Sequence, residues 1–446
     1  MNRPEPGLRL PELLAMGVGG MIGGGIFSIL GMAVGIAGHA APLAFVVGSL
    51  VAGAAGYSYI RLALAFHSDG ASFTYLEHAF PRHPNIAGVA GWTVIVGYVG
   101  TLALYAFTFG AYGADLVGAD GSTPVRVALS AGVLLFFMAV NLLGAQASGK
   151  TEVVIVLVKV VLLGMFAFAG STNISRAHLF PVFDRGIASP LVAGALVFVA
   201  FEGFQLITNA VMETEDPRRD IPRGIYGSIA ITSLIYIGVS VVAVGNLDAG
   251  ELMAAKEYAL AVAARPALGS AGPVLVDIAA LLATSSAINA TIFGASRMLA
   301  EMASEERVPR AFSHRSAAQV PWLAVVVIVG LSGVFTAGAS LEAIATFSSL
   351  TFLLVSVAVS AANFRLRRQT QSKSWLVLSG VVLMGTTIAL LVHHVWAEDR
   401  MMLAWVGAIF VTIAVAEILF FQRVTLKTKS KLPDGRALKE STGGEG

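Results

Sequence analysis

The sequence predicts an all-α membrane protein with twelve spans, the first and the sixth of them broken near mid-membrane. Three observations carry that expectation. The 446 residues are 56% hydrophobic and 13% charged, with a mean hydropathy of +0.78, whereas soluble domains carry roughly 25% charged residues. Apolar runs of about 20 residues, the length that crosses a bilayer as a helix, recur along the whole chain. Two of these runs hold residues that a simple anchor avoids: a glycine cluster in the first, and a glutamate beside a glycine in the sixth.

The expected spans are 13–37, 41–66, 86–117, 125–143, 153–170, 190–212, 225–246, 273–302, 322–337, 341–364, 375–395 and 401–422. The first run is too long for a cleavable signal peptide and lacks its polar end, so it is expected to stay as a helix. An even number of spans puts both termini on one side. Of the 29 Lys and Arg residues, 22 fall on that side, 6 on the other, and Lys159 lies within a span. The positive-inside rule therefore places both termini in the cytoplasm, across the inner or plasma membrane of the cell. Residues 1–426 form the expected transmembrane domain and 427–446 a polar cytoplasmic tail. Residues 68–84 read as an interfacial helix on the cytoplasmic side, and 247–272 as a helical lid on the outer side. The chain has no cysteine, which excludes disulfides, thiolate metal sites and cysteine nucleophiles. Zinc spacings, a serine triad and a phosphate loop are also missing from the sequence. No metal, cofactor or nucleic acid is expected, and nothing marks an enzyme.

The first span contains Gly17, Gly19, Gly20, Gly23, Gly24 and Gly25. Each glycine weakens a helix by about 0.5–1 kcal/mol relative to alanine, so the helix is expected to stop partway across. Backbone groups freed at membrane depth are tolerated only where they line a cavity or hold a ligand. A helix that restarts after the break presents unpaired N–H groups and the positive end of its dipole, which suits a carboxylate. The competing reading is a small-residue stripe for close helix packing, which Gly19 and Gly23 would serve. In the sixth span, Ala200-Phe201-Glu202-Gly203-Phe204 offers loosened carbonyls for an ammonium group, and Phe201 or Phe204 can act as a gate. Interruptions at matching places in two five-span halves point to inverted repeats with the binding site between them, leaving spans eleven and twelve outside. The two breaks together describe a zwitterion site. The carboxylate goes to N–H groups at Gly23, Gly24, Gly25 and Ile26. The amine goes to carbonyls near Met21 and Ile22, and near Phe198, Ala200 and Phe201, beside Gly203.

Ionisable residues inside a membrane are functional candidates by default, and two stand out. Glu202 has three open readings: a group that binds a substrate cation, a protonatable coupling group, or a neutral acid bonded to loosened backbone. Lys159 lies about 10 Å from the cytoplasmic end at 1.5 Å per residue, barely within reach of snorkelling, and is a candidate to carry a proton. In the eighth span Ser285 and Asn289, with Ser286 beside them, form a polar stripe; residues four apart share a helix face. That stripe either bonds neighbouring helices or faces the first break and Lys159. Asp277, Glu342 and Glu417 are given no role.

Three stretches carry a family resemblance. GMIGGGIFSILG (20–31) resembles the first-helix motif of the amino acid–polyamine–organocation (APC) superfamily. TNAVMETEDPRRDIPRGI (208–225) is similar to its sixth-helix ending, and SAINATIFGASRMLAEMASEERVP (286–309) to its eighth-helix signature. The IVLVK pattern ending at Lys159, and the run from GFQLITNA to NLDAGELMAAKEYALAVAARP, resemble the proton-coupled, broad-specificity amino-acid transporters of this superfamily. The resemblance implies a five-plus-five inverted-repeat fold of the sodium-symporter type and inward transport by alternating access. In those relatives a fifth-helix lysine fills the place of sodium; Lys159 matches it, implying a sodium-independent proton symporter. This chain departs in two places. Gly24 and Gly25 stand where relatives often carry a small hydroxyl or alanine, which leaves backbone contacts alone. Glu202 stands where close relatives tend to be apolar, which points towards a cationic substrate. The expected partners are an amino acid, a proton and the lipid bilayer. The alternatives are an amino-acid exchanger, a cationic amino-acid or polyamine carrier and, in a different class, a transporter-like sensor.

Overall fold

Helices make up all the regular structure of the described residues, apart from one isolated bridge between Leu8 and Thr214. The computed structural model describes residues 8–67, 71–144, 149–304 and 308–431. The helices are α1 (Leu10–Met21), α2 (Gly25–Ala37), α3 (Ala41–Phe66), α4 (Ala71–Ala79), α5 (Pro84–Leu116), α6 (Thr123–Leu142), α7 (Gly149–Gly170) and α8 (Ser189–Val197). A 3-10 stretch, Phe198–Ala210, follows α8. Then come α9 (Pro217–Asn246), α10 (Ala249–Ala255), α11 (Ala259–Leu268), α12 (Gly272–Ser304), α13 (Trp322–Gly338), α14 (Leu341–Arg365), α15 (Ser374–Glu398) and α16 (Arg400–Lys431).

Among the described residues, ten helical stretches are long and apolar enough to cross a membrane, and α1 and α13 are shorter apolar helices. Every expected span falls on one of these elements, the first on α1 with α2 and the sixth on α8 with the 3-10 stretch. The interfacial segment forms α4, although residues 68–70 lie outside the described ones. The lid segment folds as two short helices, α10 and α11. Helix α16 continues to Lys431, past the expected start of the tail at 427, and residues 432–446 lie outside the described ones.

Local signals explain several boundaries. Proline sits in the first turn of α3, α5, α6, α8 and α9, where its missing N–H is no loss. The Asp216-Pro217 pair is a helix start: the Asp216 carboxylate accepts the Arg219 N–H at 3.3 Å, an N-cap. The acidic stretch after the sixth span is thus the entry to α9.

Helix α5 runs through the middle of the bundle, packed on α6, α12, α13 and α14, while α3 packs on α8 and α9. Outside them, α6, α7, α15 and α16 expose large apolar side chains such as Phe136, Leu157, Phe168, Trp375, Val382 and Trp405. Apolar side chains outside and polar ones within fit a bundle solvated by lipid, where each backbone group finds its partner internally.

Candidate functional site

The first break is three residues long. Helix α1 ends as the Ile22 N–H bonds the Val18 carbonyl at 2.8 Å, and the Gly23 N–H turns back to the Met21 carbonyl at 2.8 Å. Helix α2 begins at Gly25, so the N–H groups of its first turn have no partner within the helix. The expected interruption of this span is present; of the N–H groups expected there, that of Gly23 is already engaged by the Met21 carbonyl.

The second break differs from the expectation. The chain does not unwind at Glu202 and Gly203; it tightens into 3-10 geometry at Phe198 and stays so to Ala210. Runs of more than 3–4 residues in this form are uncommon. Since 3-10 turns close i→i+3 bonds, this segment frees fewer carbonyls than an open loop would.

The breaks meet backbone to backbone. A Cβ on Gly203 would run into the backbone of Gly20 and Met21, and one on Gly25 would lie 2.7 Å from the Ala200 Cα. The glycines therefore serve both readings at once, close packing and an interrupted helix. Side chains from the surrounding helices bind the loosened carbonyls. The Tyr236 hydroxyl on α9 donates to the Met21 carbonyl at 2.6 Å and lies 3.2 Å from the Ala200 carbonyl, pinning one break to the other. On α5, Tyr105 reaches the Gly20 carbonyl at 3.4 Å, Tyr112 reaches the Phe27 carbonyl at 2.7 Å, and Thr108 pairs with Ser28. On α14, the Ser349 hydroxyl donates to the Leu196 carbonyl and accepts the Val199 N–H at 3.2 Å. Sequence reasoning missed all of these. One signal was present: Tyr98, Tyr105 and Tyr112 are spaced by seven and so share a face of α5, and a buried tyrosine hydroxyl normally finds a partner.

Tyr236→Phe leaves the Met21 and Ala200 carbonyls without that donor. Leaving buried polar groups unpaired costs about 1–3 kcal/mol, so the variant is expected to unfold measurably earlier than wild type on heating in detergent. Equal melting would mean that the carbonyls find other donors.

Lys159 is buried to 1% exposure in α7, which packs against α1, α9 and α12. Its Nζ donates to the Ser286 Oγ on α12 at 3.3 Å. The α12 stripe divides. Ser286 turns towards Lys159, Ser285 is half-buried, and Asn289 accepts from the Asn141 Nδ2 on α6 at 2.9 Å. Asn289 thus bonds a neighbouring helix rather than facing the first break, and the contact with the break comes from Ala287, beside Gly23. Phe198 is buried, the Phe201 ring stands edge-on to Tyr236 at 5.3 Å, and Phe204 stands edge-on to Tyr59 at 5.6 Å. The two candidate gates thus flank Glu202 and Gly203 in the chain and pack into different aromatic pairs.

Beside the breaks lies a cavity of about 30 Å³ lined by Gly20, Tyr98, Tyr105, Glu202, Asn209 and Met298, among others. It has room for one or two waters. Glu202 is 4% exposed, and its Oε1 has no hydrogen-bond partner. On the α1 side of the breaks, the Leu8 N–H bonds the Glu213 carbonyl at 2.8 Å, the Glu215 N–H returns to the Leu8 carbonyl at 3.0 Å, and Arg9 pairs with Glu215 at 2.9 Å. These bonds tie the start of α1 to the end of the second broken span. On the α2 side, the end of α10 rests its Lys256 carbonyl on Gly31, and the Lys256 ammonium pairs with Glu342 of α14 at 3.3 Å.

Two interrupted helices thus lie pressed together inside a bundle whose outer helices expose apolar side chains. The amino acid permease family model matches residues 8–433, and the chain belongs to that family, within the APC superfamily. It is an integral membrane protein and a transporter rather than an enzyme. An uncharacterized protein of Methanocaldococcus jannaschii is 32% identical over 428 residues, covering 95% of this chain and 97% of that protein. The inner membrane transport protein YbaT of Escherichia coli is 30% identical, covering 94% and 96%. The branched-chain amino acid permease BcaP of Bacillus subtilis is 24% identical, covering 80% of each.

Proposed function

We propose that this protein is a secondary active amino-acid transporter, proton-coupled and independent of sodium, that works by alternating access. In this reading its twelve spans comprise two inverted five-helix repeats, α1–α7 and α8–α14 with their connections, and α15 and α16 stand outside them. Both termini are cytoplasmic. The observation that carries the coupling is Lys159, a fully buried amine fixed to α12 through Ser286. A permanent charge there is costly in lipid, so a proton that comes and goes is the economical chemistry.

The substrate carboxylate binds the free N–H groups of Gly24, Gly25 and Ile26 at the positive end of α2. Its amine takes the Met21 and Ala200 carbonyls, which already face one another across the Tyr236 hydroxyl. The cavity lies on the α1 side of the breaks, and Phe201 and Phe45 pack against Tyr236 beside them. With cytoplasmic termini, α10 and α11 serve as the outer lid.

Proteoliposomes free of internal substrate test the reading with a panel of labelled amino acids. Uptake is expected under an inward proton gradient, with no response to a sodium gradient. A requirement for internal amino acid would make the protein an exchanger. Binding without any movement of label would make it a sensor.

A further inference from the structure

We propose that Glu202, Asn209 and the cavity between them and α12 form the side-chain subsite, and that it takes amino acids whose side chain carries a positive charge. The proposal rests on the amino-acid transport reading above and adds to it the class of substrate.

Two unpaired acceptors stand in an otherwise largely apolar cavity wall. Glu202 Oε1 and Asn209 Oδ1 are both buried and lack a hydrogen-bond partner, and both residues line this one space. The Thr291 side chain and the Tyr98 and Tyr105 rings complete the polar part of the wall, with Ala287 and Met298 apolar between them. The unpartnered amide nitrogen of Gln205 belongs to the same 3-10 stretch but does not line the cavity. Among the described residues no basic side chain comes within 4 Å of the Glu202 carboxylate. The ionised form of a buried carboxyl without a partner is expensive, by several kcal/mol after relaxation, and no basic side chain of the described residues is there to offset it. A neutral amide ligand would satisfy the hydrogen bonds without stabilising the ionised carboxylate. An ammonium or guanidinium group does both.

Position supports the same assignment. Gly203 and Gly20 line the cavity and are also where the two breaks touch. One molecule can therefore hold its carboxylate and amine at the breaks while its side chain lies along Glu202. The cavity admits only waters in this structure. Leu206 and Met298, both in its wall, are the flexible side chains that swing aside for a longer occupant.

The test is uptake of labelled lysine, arginine and leucine into proteoliposomes bearing wild type, Glu202→Gln, Glu202→Asp or Asn209→Ala. Wild type is expected to prefer lysine and arginine over leucine by about tenfold or more in kcat/KM, a difference within reach of one desolvated charge pair. In Glu202→Gln that ratio collapses towards one; in Glu202→Asp it survives; in Asn209→Ala it falls partway. Preference for leucine in wild type, or an unchanged ratio in Glu202→Gln, overturns the proposal. Should the Gln variant fail to fold, thermal protection of wild type in detergent decides: protection by lysine but not leucine supports the subsite, and the reverse refutes it. Failure of wild type to move any of the three while other amino acids are carried refutes the subsite alone. Failure to move any amino acid refutes the transport reading beneath it.

Discussion

Lys159→Ala is expected to reduce proton-driven uptake in proteoliposomes to the level of empty liposomes, while substrate binding in detergent persists. The amine is buried inside the bundle, 1% exposed. Through Ser286 it holds α7 to α12, and the next residue of α12, Ala287, packs beside Gly23 at the first break. In the proposed cycle a proton leaving Lys159 would alter a tie that ends within one residue of the proposed substrate site. The Leu8 and Arg9 bonds to residues 213–215 join α1 to the second broken span, so in the proposed cycle the half-helices on that side would shift together. Alanine removes the proposed coupling group and leaves the glycine break unchanged, which is why transport and binding should separate. Uptake driven by a pH gradient at the wild-type rate in this variant would remove Lys159 from the coupling.

Much of this arrangement was legible in the sequence because membranes make local composition informative. The spans follow from apolar runs, the first break from six glycines within nine residues, and Lys159 from being the lone basic residue deep in a span. What was not legible depends on contacts between distant segments. Tyr236 reaches a carbonyl 215 positions away, and Ser349 splints a segment about 150 residues before it. The second break was located correctly and its form was not, since a Glu-Gly pair says where a helix weakens but not whether it opens or tightens. The α12 stripe shows the same limit. Helical spacing groups Ser285 with Asn289, but only the packing shows that Asn289 bonds α6 and that Ser286, one position round, meets Lys159.

Gly203→Ala is expected to abolish both substrate binding and uptake. Its added Cβ would meet the backbone of Gly20 and Met21, and backbone cannot rotate away as a side chain can. Room for the methyl can come only from moving the two breaks apart, which lengthens the Tyr236 bridge between the Met21 and Ala200 carbonyls. Overpacking of this kind costs about 1–3 kcal/mol, occasionally more, so a lower melting temperature in detergent should accompany the functional loss. Gly20→Ala is the control. Its Cβ would first meet the Leu206 Cδ1 at 2.8 Å, the far end of a flexible side chain, and would lie 3.1 Å from the Gly203 Cα. It should therefore keep part of the stability and part of the uptake that Gly203→Ala loses. Equal damage from both substitutions would mean that the glycines matter for helix propensity alone. Wild-type behaviour from Gly203→Ala would mean that the two breaks do not touch in the working protein.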